Sequence, residues 1–189
     1  MTTSPVFELH IAPMFRATDR EHMLSMIDLW SYDAVVANSQ AILGRLAADM
    51  PTAATGGPWP TEWVDLFRRW VATGCKRLEL GTAQLSLSKS SGRFVLSGTG
   101  TFPAAGYRGW LQLESETASA RNYVLYFDPP DAPSGGAAAP FSLRERYPAS
   151  DTRAVFVRDA TGTREIPLTP PAPAVAALAA AADTEFFDK

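Results

Sequence analysis

The clearest pattern of apolar and polar positions in this chain lies between Gly57 and Gly74. Five large apolar residues there share one face of a predicted helix, at spacings of three and four positions: Trp63, Leu66, Phe67, Trp70 and Val71. Thr61 suits the start of this helix, with its hydroxyl as the cap, and Gly74 suits the left-handed turn that ends it. We expect the residues upstream to pack on the apolar face.

The residues before this helix predict two further helices and a short extended lead-in. Residues 7–15 are mostly apolar and interrupted by Pro13, which favours an extended segment. The apolar spacing predicts one helix over residues 18–29 and a second over 31–50, capped by Ser31. The first part of the chain is therefore predicted to be three helices around one small core.

After Gly74 the apolar residues alternate with polar ones, which is typical of half-buried strands. Seven short strands are predicted, over residues 85–87, 94–99, 110–114, 123–128, 141–146, 153–158 and 164–168. A hairpin turn is expected at 90–92 and a tight turn at 159–163. Short strands without helices between them predict a small antiparallel β-sandwich, immunoglobulin-like in architecture although the Cys, Trp, Cys spacing of antibody domains is absent.

These patterns predict an α+β chain with separate all-α and all-β domains. Residues 1–80 form the helical domain, 81–170 the sandwich and 171–189 a C-terminal tail, with the boundary between Gly74 and Gly81. The loop over residues 128–140 is rich in proline, glycine and alanine and is expected to be mobile. Residues 98–100 interrupt a strand with two glycines, which favours a bulge over a phosphate loop.

Composition and charge narrow the classes of partner. The 189 residues carry a formal net charge of -3 without long runs of one sign, so neither nucleic acid nor an anionic membrane is an expected partner. No stretch is long and apolar enough to span a bilayer, and the N-terminus has no signal-peptide pattern. The single cysteine, Cys75, is expected to be a partly buried small residue, and the cytoplasm is the expected compartment.

The helical part resembles the small c-type cytochrome domains of bacterial multidomain proteins. The resemblance rests on the apolar row over residues 11–15, the pair Met50 and Pro51, the loop over 56–60 and the helix over 63–74. It implies a three-helix cytochrome c-like fold. Residues 19–23, however, read Asp-Arg-Glu-His-Met where that family has CxxCH, so the thioether bonds to haem cannot form.

We therefore predict no cofactor, with side chains in the space of the missing porphyrin. Five residues are predicted to fill it, because methionine and indole side chains suit irregular gaps: Met14, Met23, Met26, Trp30 and Trp59. Non-covalent haem between His22 and Met50 is the alternative. A metal site of His10 and His22 with nearby carboxylates is also conceivable, although solvated or capping histidines are far more usual.

The sequence carries no G-x-S-x-G motif, and its carboxylates stand singly in the β part, so no catalytic set is predicted. We instead predict a non-catalytic accessory or assembly protein that binds another protein, such as a redox enzyme, through an aromatic-rich surface. The alternative is a small enzyme or small-molecule-binding protein with a site between the two domains. The tentative binding residues are Arg16, Asp19, His22, Trp59, Tyr107, Arg108, Trp110 and Arg121. Arg16 and Asp19 equally suit an ordinary ion pair at a helix start.

Overall fold

The computed structural model describes residues 4–48, 51–52, 56–132 and 135–169, and its helices precede all of its strands. This order confirms the α+β class. Part of the loop over 128–140 and the whole of the tail over 171–189 lie outside the described residues.

The lead-in to the helices is not extended, so that prediction was wrong. Phe7–Ile11 forms one π-helical turn and Ala12–Met14 a 3₁₀ turn. Phe7 and Ile11 are both buried, and the helical turn brings these two side chains, four positions apart, onto the same core. The imidazole of His10 caps the turn, because its Nδ1 accepts the backbone N–H of Val6 at 2.9 Å.

The helices that follow are shorter than the pattern predicted. They are α1 (Ala17–Met23), α2 (Tyr32–Ala37) and α3 (Ser39–Ala48). The predicted second helix divides at Asn38, whose side-chain amide donates to the carbonyl of Ala34 at 2.8 Å and competes locally with the helical backbone. Ser31 caps α2 as predicted, accepting the N–H of Ala34.

Helix α4 (Thr61–Ala72) matches the strongest prediction, and it ends at a left-handed Gly74 with φ of +90°. Two details differ. Pro60 occupies the cap position and Thr61 makes no capping hydrogen bond. Trp63 is 40% exposed, whereas Phe67 and Trp70 are fully buried, so the apolar face is only partly covered.

Eight strands form two sheets in the described residues. They are β1 (Glu79–Leu80), β2 (Gln84–Ser90), β3 (Arg93–Phe102), β4 (Arg108–Glu116), β5 (Ala120–Asp128), β6 (Ala139–Pro148), β7 (Ala154–Asp159) and β8 (Gly162–Glu165). In one sheet β5 pairs with β4 on one side and with β1 and β7 on the other, and β8 pairs with β7. The second sheet has the order β2, β3, β6.

The strand pairing departs from a wholly antiparallel sandwich. β5 and β7 run parallel, because the chain crosses to the other sheet as β6 before it returns as β7. The predicted hairpin between β2 and β3 is confirmed, with left-handed Ser91 and Gly92 at its turn. The predicted bulge at residues 98–100 is absent: the pairing of β3 with β6 is continuous, and Gly100 instead leaves room for the ring of Phe141.

Two hydrophobic clusters form the cores. The helical cluster is built on Phe67 and Trp70 of α4. The other is shared by the inner faces of both sheets, with Leu96 and Leu125 fully buried in it. The cytochrome c-like and immunoglobulin-like arrangements stay predictions.

Candidate functional site

The junction between the helical part and the sheets is held by a buried lysine. Lys76, with a side chain only 9% exposed, places its ammonium 2.8 Å from Asp128 at the end of β5 and 2.7 Å from Asp131 in the loop that follows. The side chain of Asp128 is 4% exposed and also contacts Arg108. The N–H of Ser4 donates to Asp131, so the beginning of the loop expected to be mobile is anchored.

The surroundings of Lys76 favour the charged form of its amine. Burial favours the neutral amine, but the hydrogen bonds with Asp128 and Asp131 outweigh it, and the pKa of Lys76 is raised. The same contact, with the N–H of Ser4, lowers the pKa of Asp131. Its ion pairs with the two aspartates join the helical part to the end of β5 and the loop that follows.

A groove of about 540 Å³ opens beside this junction. Its floor is the outer face of the larger sheet, where Leu80 of β1 pairs with Tyr126 of β5. Glu8 from the π-helical turn and Arg77 from the linker line it from the helical side. A groove of this size is large enough for a small organic ligand.

The second notable surface is a row of four aromatic residues on the helical part, three tryptophans and one phenylalanine. We call it the tryptophan surface, and its members are Trp30, Phe15, Trp59 and Trp63. The indole N–H of Trp30 donates to the carbonyl of Phe15 at 3.1 Å. The ring of Phe15 lies 5.3 Å from Trp59, and Trp59 lies 5.7 Å from Trp63 in an edge-on contact. Phe15 and Trp59 are buried, whereas Trp30 is 48% and Trp63 40% exposed.

Two arginines border the tryptophan surface. The guanidinium of Arg20 lies over the ring of Trp30 at 4.7 Å and is held by Asp28 through two hydrogen bonds of 2.6 and 2.9 Å. Arg16 donates to Gly56 at 3.2 Å, in the loop that leads to Trp59. The side chains at this border are thus fixed in place by ion pairs.

Arg16, Asp19 and His22 do not converge on a cavity. Arg16 forms a two-pronged ion pair with Asp19, whose carboxylate also accepts the N–H of Arg16 and so fixes the start of α1. Burial alone would raise the pKa of Asp19, but the hydrogen bonds from Arg16 lower it. His22 is exposed. This geometry matches the ordinary ion pair considered above.

Of the predicted residues of the β part, three lie close together at the start of β4 and Arg121 lies apart from them. Tyr107 packs on the sheet core, with its hydroxyl 3.5 Å from Glu79. Arg108 pairs with Asp128, and Trp110 is half-buried beside Tyr126 on the outer face. Arg121 begins β5, near the opposite end of that strand from Asp128, so these residues do not form one patch.

Arg121 belongs to a closed ion-pair network. Its guanidinium donates to Asp151 at 2.6 Å, lies 2.8 Å from Glu116 and sits over the ring of Tyr147 at 4.7 Å. Arg153 holds the same Asp151 with two hydrogen bonds from its side chain. Arg121 is 15% exposed and has little surface to offer a partner.

The residues predicted to fill a porphyrin-shaped space divide into two groups. Met14, Met23 and Trp59 contribute to the helical core. Met26 and Trp30 lie at the surface, so for these two the prediction was wrong. Met50 lies outside the described residues, and His22 is exposed. Within the described residues, no group of three or more His, Cys, Asp or Glu side chains could hold a metal ion.

Sequence patterns did not predict the parts of these sites that depend on contacts between residues far apart in the chain. Lys76 lies in the predicted boundary between Gly74 and Gly81, and a lone lysine between a helix end and a strand, with its two aspartates elsewhere in the chain, carries no local signal. Trp63 was assigned to the core because its spacing fits the helical face. Cys75 is partly buried as predicted, and burial raises the pKa of its thiol.

Comparison with protein-family models, with curated proteins and with solved structures finds no match to this chain. None of the described helices is both long and apolar enough to cross a membrane.

Proposed function

We propose that this chain is a non-catalytic accessory or assembly protein that binds another protein through the tryptophan surface. The observation that carries the proposal is the pair of exposed indoles, Trp30 and Trp63, mounted on the buried rings of Phe15 and Trp59. Large apolar rings at the surface gain the free energy of burial when a partner covers them, about 25 cal/mol for each Å² of apolar surface covered, and this gain offsets the cost of association.

The composition of this surface supports a protein partner. Tryptophan and arginine are the residues most enriched among those that dominate the energy of protein interfaces. Here both indoles and the guanidinium of Arg20 are held by hydrogen bonds or ring contacts before binding, so little side-chain entropy is lost on association. The partner face that fits such a surface is apolar at its centre, with polar groups that meet the ion pairs at the border.

The other polar clusters of the described residues support a non-catalytic role. Lys76 is held between carboxylates, and Arg121 and Arg153 are held by Asp151. Our proposal includes the cytoplasm as the compartment and an origin from a haem-less cytochrome c-like domain. A redox enzyme is then a reasonable partner, by resemblance alone.

The proposal is tested by photo-crosslinking in the native cells. A benzophenone amino acid replaces Trp63 in one variant and Arg93, an exposed residue at the start of β3, in the control. We expect irradiation to join the Trp63 variant to one protein in near-stoichiometric yield and the Arg93 variant to none. Mass spectrometry identifies the partner, and calorimetry with the purified pair establishes direct binding.

Two results contradict the proposal. One is an equal pattern of crosslinked products from both positions, which indicates random encounters. The other is a crosslinked protein that shows no binding to the purified chain at concentrations up to about 100 µM, which is weaker than specific interfaces of ordinary size.

A further inference from the structure

The groove beside the junction contains an arginine whose hydrogen-bonding capacity is unused. The guanidinium of Arg77 lies 4.3 Å above the ring of Tyr32, which fixes its plane. Its nearest carboxylates, Glu8 and Asp33, are both 3.9 Å away, beyond hydrogen-bond distance. Among the described residues, its side chain donates no hydrogen bond.

This arrangement differs from that of Arg16 and Arg20 at the first helix. Arg16 and Arg20 each hold an aspartate with two short hydrogen bonds. Arg77 has the same fork of N–H groups, is 49% exposed and lines the groove. A flat guanidinium with open donors matches the two oxygens of a carboxylate.

The sheet side of the groove provides a second cation and an apolar floor. Arg158 of β7 donates to Glu114 at 2.6 Å and remains 41% exposed at the lining. Leu80 and Tyr126 line the groove together with the two arginines, and burial raises the pKa of the Tyr126 hydroxyl. Of the acidic residues, Glu8 accepts the N–H of Leu78 at 2.8 Å through one carboxylate oxygen, and its other oxygen lies 3.9 Å from Arg77.

We propose that the groove between the helical part and the larger sheet binds a small organic carboxylate with an apolar body. Arg77 receives the carboxylate through its two parallel N–H groups, Arg158 lies at the sheet side with its charge shared with Glu114, and the apolar body lies on Leu80 and Tyr126. The formal charges of the lining cancel, because Glu8 and Glu79 balance the two arginines, and Glu114 and Asp33 add negative charge beside Arg158 and Arg77. Recognition of the carboxylate therefore depends on short-range hydrogen-bond geometry. The affinity of the groove for this ligand is modest because the groove is open to solvent.

The test is an NMR titration of the full chain with phenylacetate, observed at the arginine Nε–Hε signals. We expect saturable shifts at Arg77 and Arg158, and no such shifts with phenylacetamide, which has the same ring and no charge. Arg77→Gln weakens phenylacetate binding about tenfold or more, the effect of losing a charge-assisted hydrogen bond. Arg77→Lys keeps the charge without the fork and gives a smaller loss.

Arg68→Gln on the exposed side of α4 is the matched control, because it removes the same charge away from the groove. Thermal unfolding of each variant confirms that the fold is intact. The proposal is overturned if phenylacetamide shifts Arg77 as phenylacetate does, if the shifts are equal at Arg68 and Arg77, or if Arg77→Gln and Arg68→Gln bind alike. It is also overturned if a tripeptide with a free C-terminal phenylalanine binds and phenylacetate does not, since the ligand is then a peptide end. The outcome of this titration does not depend on whether a partner protein binds at Trp63, so the two proposals can fail separately.

Discussion

The two parts of this chain use their aromatic residues differently. In the β part, Phe102, Phe127 and Phe141 pack face to face or edge to face, with centroids 4.5 to 5.3 Å apart, in the sheet core. In the helical part, Trp30 and Trp63 stay exposed around a buried Trp59. The number of aromatic residues in a region therefore does not locate a binding surface. Exposed aromatic rings that are held in place by buried ones do.

Arginines of the two parts differ in the same way, since Arg121 of the β part is enclosed and Arg20 of the helical part lies at the surface. Arg121 and Arg153 close a network around Asp151 that leaves Arg121 nearly buried. Arg20 is fixed by Asp28 but presents its guanidinium on an exposed indole. The predictions below separate residues that hold the fold from residues that are available to a partner.

The largest expected effect is at the centre of the helical core. Trp70 is fully buried, contacts the rings of Phe7 and Phe67, and donates its indole N–H to the carbonyl of Lys76 at 2.8 Å. Trp70→Ala removes these contacts and leaves a cavity, so we expect a loss of about 4 kcal/mol in the free energy of unfolding. Urea unfolding monitored by circular dichroism measures it. A loss below about 1 kcal/mol would show that α4 does not organise this core.

A smaller loss is expected at the junction. Lys76→Met leaves the buried carboxylate of Asp128 with only the exposed Arg108, which should cost about 3 kcal/mol. The double variant Lys76→Met/Asp128→Leu removes both buried charges and should recover much of that loss. Urea unfolding of the two variants gives the comparison. If the double variant is no more stable than Lys76→Met, the ion pair is not the contact that matters.

Acid should weaken the ion pair that holds Arg20. The hydrogen bond from Arg20, aided by the N–H of Trp30, lowers the pKa of Asp28 to about 2, below the value of about 3.9 in an unfolded chain. A carboxyl group whose pKa is lower in the folded than in the unfolded chain stabilises the fold at pH values above its unfolded-state pKa. That stabilisation is lost as the pH falls from about 4 to about 2. Asp28→Asn removes this contribution and should flatten the pH dependence of stability in that range.

Urea midpoints between pH 5 and pH 2 measure the effect, with Asp65→Asn, in the exposed pair on α4, as the control. If the urea midpoints of wild type and Asp28→Asn fell in parallel as the pH was lowered, the pH-dependent stability would not come from Asp28. In the β part, hydrogen bonds from Arg153 and Arg121 likewise lower the pKa of Asp151.

The smallest effect on stability is expected at the exposed indoles. Trp30→Ala and Trp63→Ala each remove a ring that is partly in water, so we expect losses of about 1 kcal/mol, far below that of Trp70→Ala. Thermal unfolding of the three variants side by side ranks them. A loss at Trp63 equal to that at Trp70 would make Trp63 a core residue.

Local patterns predicted the elements whose signals are local. Helix α4 and the β2–β3 hairpin follow from the spacing around Phe67 and from the turn residues Ser91 and Gly92. The break at Asn38 and the helical turn at Phe7 were missed because side-chain hydrogen bonds and tertiary burial decide them. The predicted strands could not reveal that β5 and β7 run parallel, because pairing depends on the whole topology.

The candidate sites were less predictable than the elements. The pairing of Lys76 with Asp128, and of Arg121 with Asp151, joins residues far apart in the chain, and residue type alone does not specify such pairs. The helical spacing placed Trp63 on the apolar face, but whether a neighbour covers that face is a tertiary property.

The most direct test of the central claim is the affinity for the protein that crosslinks at Trp63, measured by isothermal titration calorimetry. Wild type is compared with the double variant Trp30→Ala/Trp63→Ala and with Trp110→Ala, which changes a half-buried tryptophan of the β part. We predict that the double variant binds at least about thirtyfold more weakly, the effect expected of a residue that dominates an interface, while Trp110→Ala binds like wild type. Unchanged affinity in the double variant, or a comparable loss with Trp110→Ala, would contradict the account.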